Sequence, residues 1–68
     1  MNEETFNIEV RKFLKKFGVT AQREIEKAVR DALEGGRLRG NETLHLSATL
    51  DVASLVPDVV VTGEIHLE

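Results

Sequence analysis

The first half of the chain repeats its apolar residues at helical spacing. Phe6, Val10, Phe13, Leu14 and Phe17 fall at i, i+4, i+7, i+8 and i+11, which is one stripe of a helix. Ala21, Ile25, Ala28, Val29, Ala32 and Leu33 make a second stripe. Gly18 stands between them, so the pattern predicts two helices, over about 3–17 and 20–34. Asn2 is the N-cap expected for the first, with Glu3 and Glu4 favourably placed in its opening turn. Thr20 is the corresponding candidate for the second, although Arg23 leaves its capping box incomplete. Gly35 and Gly36 supply the stop. Two helices joined by two or three residues must turn sharply and pack on each other.

The second half changes period. Leu44–Val52 reads LHLSATLDV and Val59–Leu67 reads VVVTGEIHL, each alternating apolar and polar positions. That is the signature of half-buried strands, expected over about 43–52 and 58–67. The short linker ASLVPD makes them an antiparallel hairpin, with Pro57 in the loop because it has no N–H for a ladder. Matching large to large and small to small sets Leu44 opposite Leu67, Leu46 opposite Ile65, Ala48 opposite Gly63 and Leu50 opposite Val61. His45 then lies opposite His66. A slip of two residues keeps the faces and spoils the matching. The expected fold is therefore α+β, in the order α-α-β-β, with a two-helix hairpin packed on one face of an antiparallel β-hairpin. The expected core is Phe6, Val10, Phe13, Leu14, Phe17, Ile25, Val29, Leu33, Leu46, Leu50, Val61 and Ile65.

Length limits what this core can supply. Sixty-eight residues make one small domain, which buries only about 60% of the surface its unfolded chain exposes. There is no cysteine to cross-link it. Tight packing or association with a second copy must make up the difference. The net charge of −3 argues against a partner held mainly through its phosphates. The opening MNEETF is acidic and lacks the basic and apolar regions of a signal peptide, and no apolar run approaches a membrane span. These features lead us to expect a soluble, cytoplasmic protein without a membrane partner.

Few residues are placed to do chemistry. His45 and His66, if paired across the strands, would offer two metal ligands, but spacing fixes no third, and a solvated polar face is the simpler reading. Close imidazoles would also repel one another once protonated. Ser47, Ser54, Asp51 and Asp58 lack the glycine-framed turn of a nucleophile. Gly35, Gly36 and Gly40 follow a helix and do not match a phosphate-binding loop. No enzyme activity and no cofactor are expected. The basic residues Arg11, Lys12, Lys15 and Lys16 on helix one, and Arg23, Lys27 and Arg30 on helix two, read as solvated faces laced by pairs such as Glu26–Arg30 and Lys27–Asp31. The alternative is a DNA-binding protein: a helix-turn-helix with a β-wing, reading bases from Gln22, Arg23, Lys27 and Arg30. Ile8 lies off its stripe, and Val60 is apolar on the outward face of a strand. With both sheet edges open, Ile8, Val60, His45 and His66 outline a candidate interaction surface. The leading expectation is a small protein-interaction module that associates with itself, as a homodimer, or with another protein.

The pieces VRKFLKKFGVTAQREIEKAV, ALEGGRLRGNETL and GEIHLE together resemble a family of short uncharacterised bacterial proteins, a domain of unknown function. The resemblance covers nearly the whole chain and is most specific in FGVTAQREIEKAV. It implies a small α+β protein and carries no catalytic residues to transfer.

Overall fold

The computed structural model describes residues 1–68, in the order helix, strand, strand. It divides into two units, Met1–Arg37 and Leu38–Glu68. The first unit is a single helix, α1, over Glu3–Glu34. The two predicted helices are thus one, and no turn interrupts them at Gly18.

The sequence contains the reason. Phe17, Ala21 and Ile25 are each four residues apart, so the apolar stripe crosses Gly18 without a break. Phe6, Phe17 and Ala28 recur at eleven-residue intervals, as do Val10, Ala21 and Ala32, and Leu14 with Ile25. Eleven residues complete close to three helical turns, so the stripe runs nearly straight along the whole element. Thr20 continues the helix and caps nothing. An interior glycine costs about 1 kcal/mol relative to alanine, which a helix of this length absorbs.

The ends are built as expected. Asn2 caps the start, its Oδ1 accepting from the Thr5 N–H at 3.0 Å. At the other end Arg37 N–H donates to Ala32 O at 2.8 Å and Gly36 N–H to Leu33 O at 3.2 Å. This is a Schellman closure, and Gly36 takes the left-handed φ of +75° that it requires.

The second unit is an antiparallel hairpin of β1, Thr43–Leu50, and β2, Val59–His66. Each strand is a little shorter than its apolar pattern suggests. The register is the slipped one: Leu44 faces Ile65, Leu46 faces Gly63, Ala48 faces Val61 and Leu50 faces Val59. Leu67 N–H extends the same ladder to Glu42 O at 3.0 Å. Size matching across the strands therefore does not set the register; the turn does. Asp51 Oδ1 accepts from Ser54 N–H at 3.1 Å, and Leu55 N–H donates to Val52 O at 2.8 Å. Ala53 and Ser54 sit in the left-handed region at φ 49° and 60°. This tight, Asp-closed corner centres the hairpin earlier in the chain than ladder matching does.

The expected core is not a core in the single chain. No residue is buried. Phe6, Phe13, Leu14 and Phe17 are 53%, 54%, 56% and 46% exposed, and Val10, Leu33, Leu50 and Val61 are exposed with them. Ile25, Val29, Leu46 and Ile65 are only partly covered.

A Cβ added at Gly18 would meet nothing within 4 Å. Gly18→Ala should therefore raise the stability of α1 by about 0.5–1 kcal/mol. Urea unfolding followed by circular dichroism measures this. A chain that breaks at Gly18 in solution would show no gain.

Candidate functional site

Alternation along the strands gives the hairpin a polar face of Thr43, His45, Ser47, Thr49, Thr62, Glu64 and His66, with Val60 the one apolar member. The register decides which of these meet. His45 lies opposite Glu64, with Nδ1 and Oε1 3.6 Å apart. His66 lies opposite Thr43, and the Thr43 Oγ1 and His66 Nδ1 share a hydrogen bond of 2.9 Å. The two histidines are therefore not partners, which removes the paired-imidazole site that the other register would create. No three His, Asp or Glu side chains gather where they would hold a metal ion. A shallow, open groove of ≈ 340 Å³ runs over His45, Leu46, Ser47, Thr62, Gly63 and Glu64. It brings together one imidazole, one carboxylate and two hydroxyls, all accessible to water, with no buried polar group aimed into it.

On the helix, Gln22, Arg23, Lys27 and Arg30 are exposed in the middle and last turns of one continuous element. With no turn before them, Gln22 and Arg23 do not open a recognition helix. Arg30 reaches Glu26 at 3.3 Å and Lys12 reaches Glu9 at 3.4 Å, ordinary surface pairs along a helix. The anticipated Lys27–Asp31 pair does not close. Ile8 is 54% exposed and Val60 58%. They are outnumbered by a larger surface: Phe6, Val10, Phe13, Leu14 and Phe17 form a continuous apolar band along the first half of α1. The rings of Phe13 and Phe17 stack, with centroids 6.4 Å apart and planes inclined by 18°.

One polar feature had no clear signal in the sequence. The Glu42 carboxylate folds back over the connector and accepts from Arg39 N–H at 2.9 Å and from Gly40 N–H at 3.0 Å. These backbone donors, Arg39 first, hold its carboxyl below the ordinary glutamate range. The local text, GNE, reads only as a turn.

Taken together, these elements define a small α+β protein: one long amphipathic helix followed by a two-stranded antiparallel hairpin. The chain belongs to the family of unknown function DUF6494, which matches residues 1–68, the whole chain. No curated protein and no solved structure matches it. No helix is long and apolar enough to cross a membrane.

The Glu42 clasp gives a pH prediction. Its depressed pKa means that the clasp is fully formed above the ordinary glutamate value. It is lost as pH falls through the lower folded value. The Arg39 and Gly40 amide resonances should move together with a midpoint below that of a free glutamate. Glu42→Gln should abolish this movement. A midpoint at the ordinary value would show that the clasp does not form.

Proposed function

We propose that this protein is a non-enzymatic protein-interaction module that associates with itself. One observation carries the reading: Phe6, Val10, Phe13, Leu14, Phe17, Leu33, Leu50 and Val61 are each 39% exposed or more, and no residue is buried. Burying such a side chain is worth roughly 1.5–3 kcal/mol, and this term is what offsets the entropy of ordering a chain. A lone chain forgoes much of it. Exposed apolar surface on this scale marks a binding face. A second copy is the one partner always present at matching concentration, and most soluble oligomers are homo-oligomers closed by symmetry.

Sedimentation equilibrium of the whole chain tests the proposal. A mass above that of the 7.6 kDa monomer, rising with concentration, is expected. A single monomeric species up to the highest soluble concentration would end it.

A further inference from the structure

Self-association leaves open which surface a second copy covers. The hairpin has an unmet need of its own: its sheet has only two strands, and three or more are needed for independent stability in water. Its backbone shows where a further strand can join. The bond from Leu67 N–H to Glu42 O makes 42 and 67 a hydrogen-bonded pair. Such pairs alternate along an antiparallel ladder, so 44–65, 46–63, 48–61 and 50–59 are hydrogen-bonded pairs as well. The residues between them turn their N–H and C=O groups out of the hairpin. On β1 these are Thr43, His45, Ser47 and Thr49, and on β2 they are Val60, Thr62, Glu64 and His66. Neither strand carries a lysine, a proline or a bulge that would blunt its edge.

Of the two edges, β2 is the better template. Val59, Val60, Val61, Thr62 and Ile65 are β-branched, against Thr43 and Thr49 on β1. Val59, Val60 and Val61 are also 46%, 58% and 60% exposed, whereas Leu44, Leu46 and Ala48 are partly covered. A second β2 running antiparallel completes this edge when Gly63 lies on the two-fold axis. Thr62 of one copy then exchanges backbone bonds with Glu64 of the other, and Val60 with His66, so every outward residue has an outward partner. Because outward residues pair only with outward residues, the two apolar faces fall on the same side of the sheet. There Val61 meets Ile65 of the second copy. On the polar face Val60, its one apolar member, meets the second copy's His66. The two Glu64 side chains are diagonal neighbours about 7–8 Å apart, and each already faces His45 of its own chain. Sliding the second strand by two residues one way sets Glu64 directly against Glu64. Sliding it the other way sets His66 against Asp58, beyond the end of β2, where the ladder stops.

Resting on the self-association reading above, we propose that two copies join edge to edge through antiparallel β2 strands, with Gly63 on the two-fold axis, to form one four-stranded sheet in the order β1-β2-β2-β1. The occupant is a second copy because the edge complements itself: donors meet acceptors, valine meets isoleucine, and the apolar faces merge. A single strand seam is smaller than the about 800 Å² per partner of standard complexes. A dissociation constant of roughly 10–100 μM is accordingly expected.

The test combines mass with geometry, on the whole chain. Thr62→Pro removes an outward N–H and spares the ladder within the hairpin, a position where an edge strand accepts proline. It deletes a hydrogen bond twice per dimer and should weaken dimerisation about tenfold to a hundredfold. Ser47→Pro makes the same change on the β1 edge and should leave dimerisation as it is. For geometry, the chain has no cysteine of its own, and a Cβ added at Gly63 meets nothing within 4 Å. In the proposed pair the two copies of position 63 face each other with Cα atoms about 4.5 Å apart, within disulfide range. Gly63→Cys should therefore form an intermolecular disulfide on air oxidation. Val61→Cys, on the same face, should stay reduced, because its two copies lie about 14 Å apart. A monomeric wild-type chain overturns both this proposal and the reading it rests on. A dimer that withstands Thr62→Pro, that Ser47→Pro breaks equally, or in which the Gly63→Cys thiols stay reduced overturns the edge pairing and leaves self-association standing. If Thr62→Pro unfolds the chain, the contrast between Gly63→Cys and Val61→Cys still decides.

Discussion

The constraint that governs this molecule is the lack of an interior. Every structural choice visible in the chain is local: caps, a Schellman closure, an Asp-closed corner and a hydrogen-bonded ladder. None of these is sufficient alone. A two-stranded hairpin is marginal in water, and most helical stability in proteins comes from packing an amphipathic face. Both units carry such a face, and the first half of α1 carries its band of phenylalanines in water. The single chain leaves much of that surface uncovered.

How much of this was legible in the sequence depended on the range of each signal. Element type was written in the periods themselves, 3.6 in the first half and 2 in the second. Asn2 and Gly36 were legible because caps are local chemistry. The joint at Gly18 was misread because glycine is a weak helix breaker that costs about as much as one poor residue. The four-residue steps Phe17–Ala21–Ile25 outweigh it, and attention to them predicts continuity. The register was misread for a different reason. Pairing large with large assumes that cross-strand contacts choose the alignment, whereas in a short hairpin the corner chooses first. Asp51, with Ala53 and Ser54 in left-handed conformations, fixes the corner. Such conformations for Ala and Ser are not visible in composition.

The register has a chemical consequence. Moving the alignment by two residues leaves the same side chains on the same face and changes which are neighbours. His45 and His66 go from facing each other to facing Glu64 and Thr43. A face that might have bound a cation through two imidazoles becomes one in which each imidazole has a neutral or acidic neighbour of its own. The candidate site was legible as a list of residues and illegible as a constellation, since a constellation depends on pairing and pairing on the turn.

The same logic bears on why the apolar band is paired with such an ordered run of charge. Stripes of apolar residues arise wherever a helix has a buried side, and alone they specify no partner. Charges at a solvent-facing flank are free to scatter, and those on the second half of α1 do: Arg23, Glu24, Glu26, Lys27, Arg30, Asp31 and Glu34 intermix both signs. Those on the first half segregate, three acidic and then four basic. Part of this follows from the helix dipole, which favours Glu3 and Glu4 at the start. The dipole acts within the first and last turns, however, and the basic residues at 11–16 lie in the middle of an unbroken helix, where it has no hold on them. Exposed charges of either sign contribute little stability at a helix surface, so the energetics of this half rest on its phenylalanines.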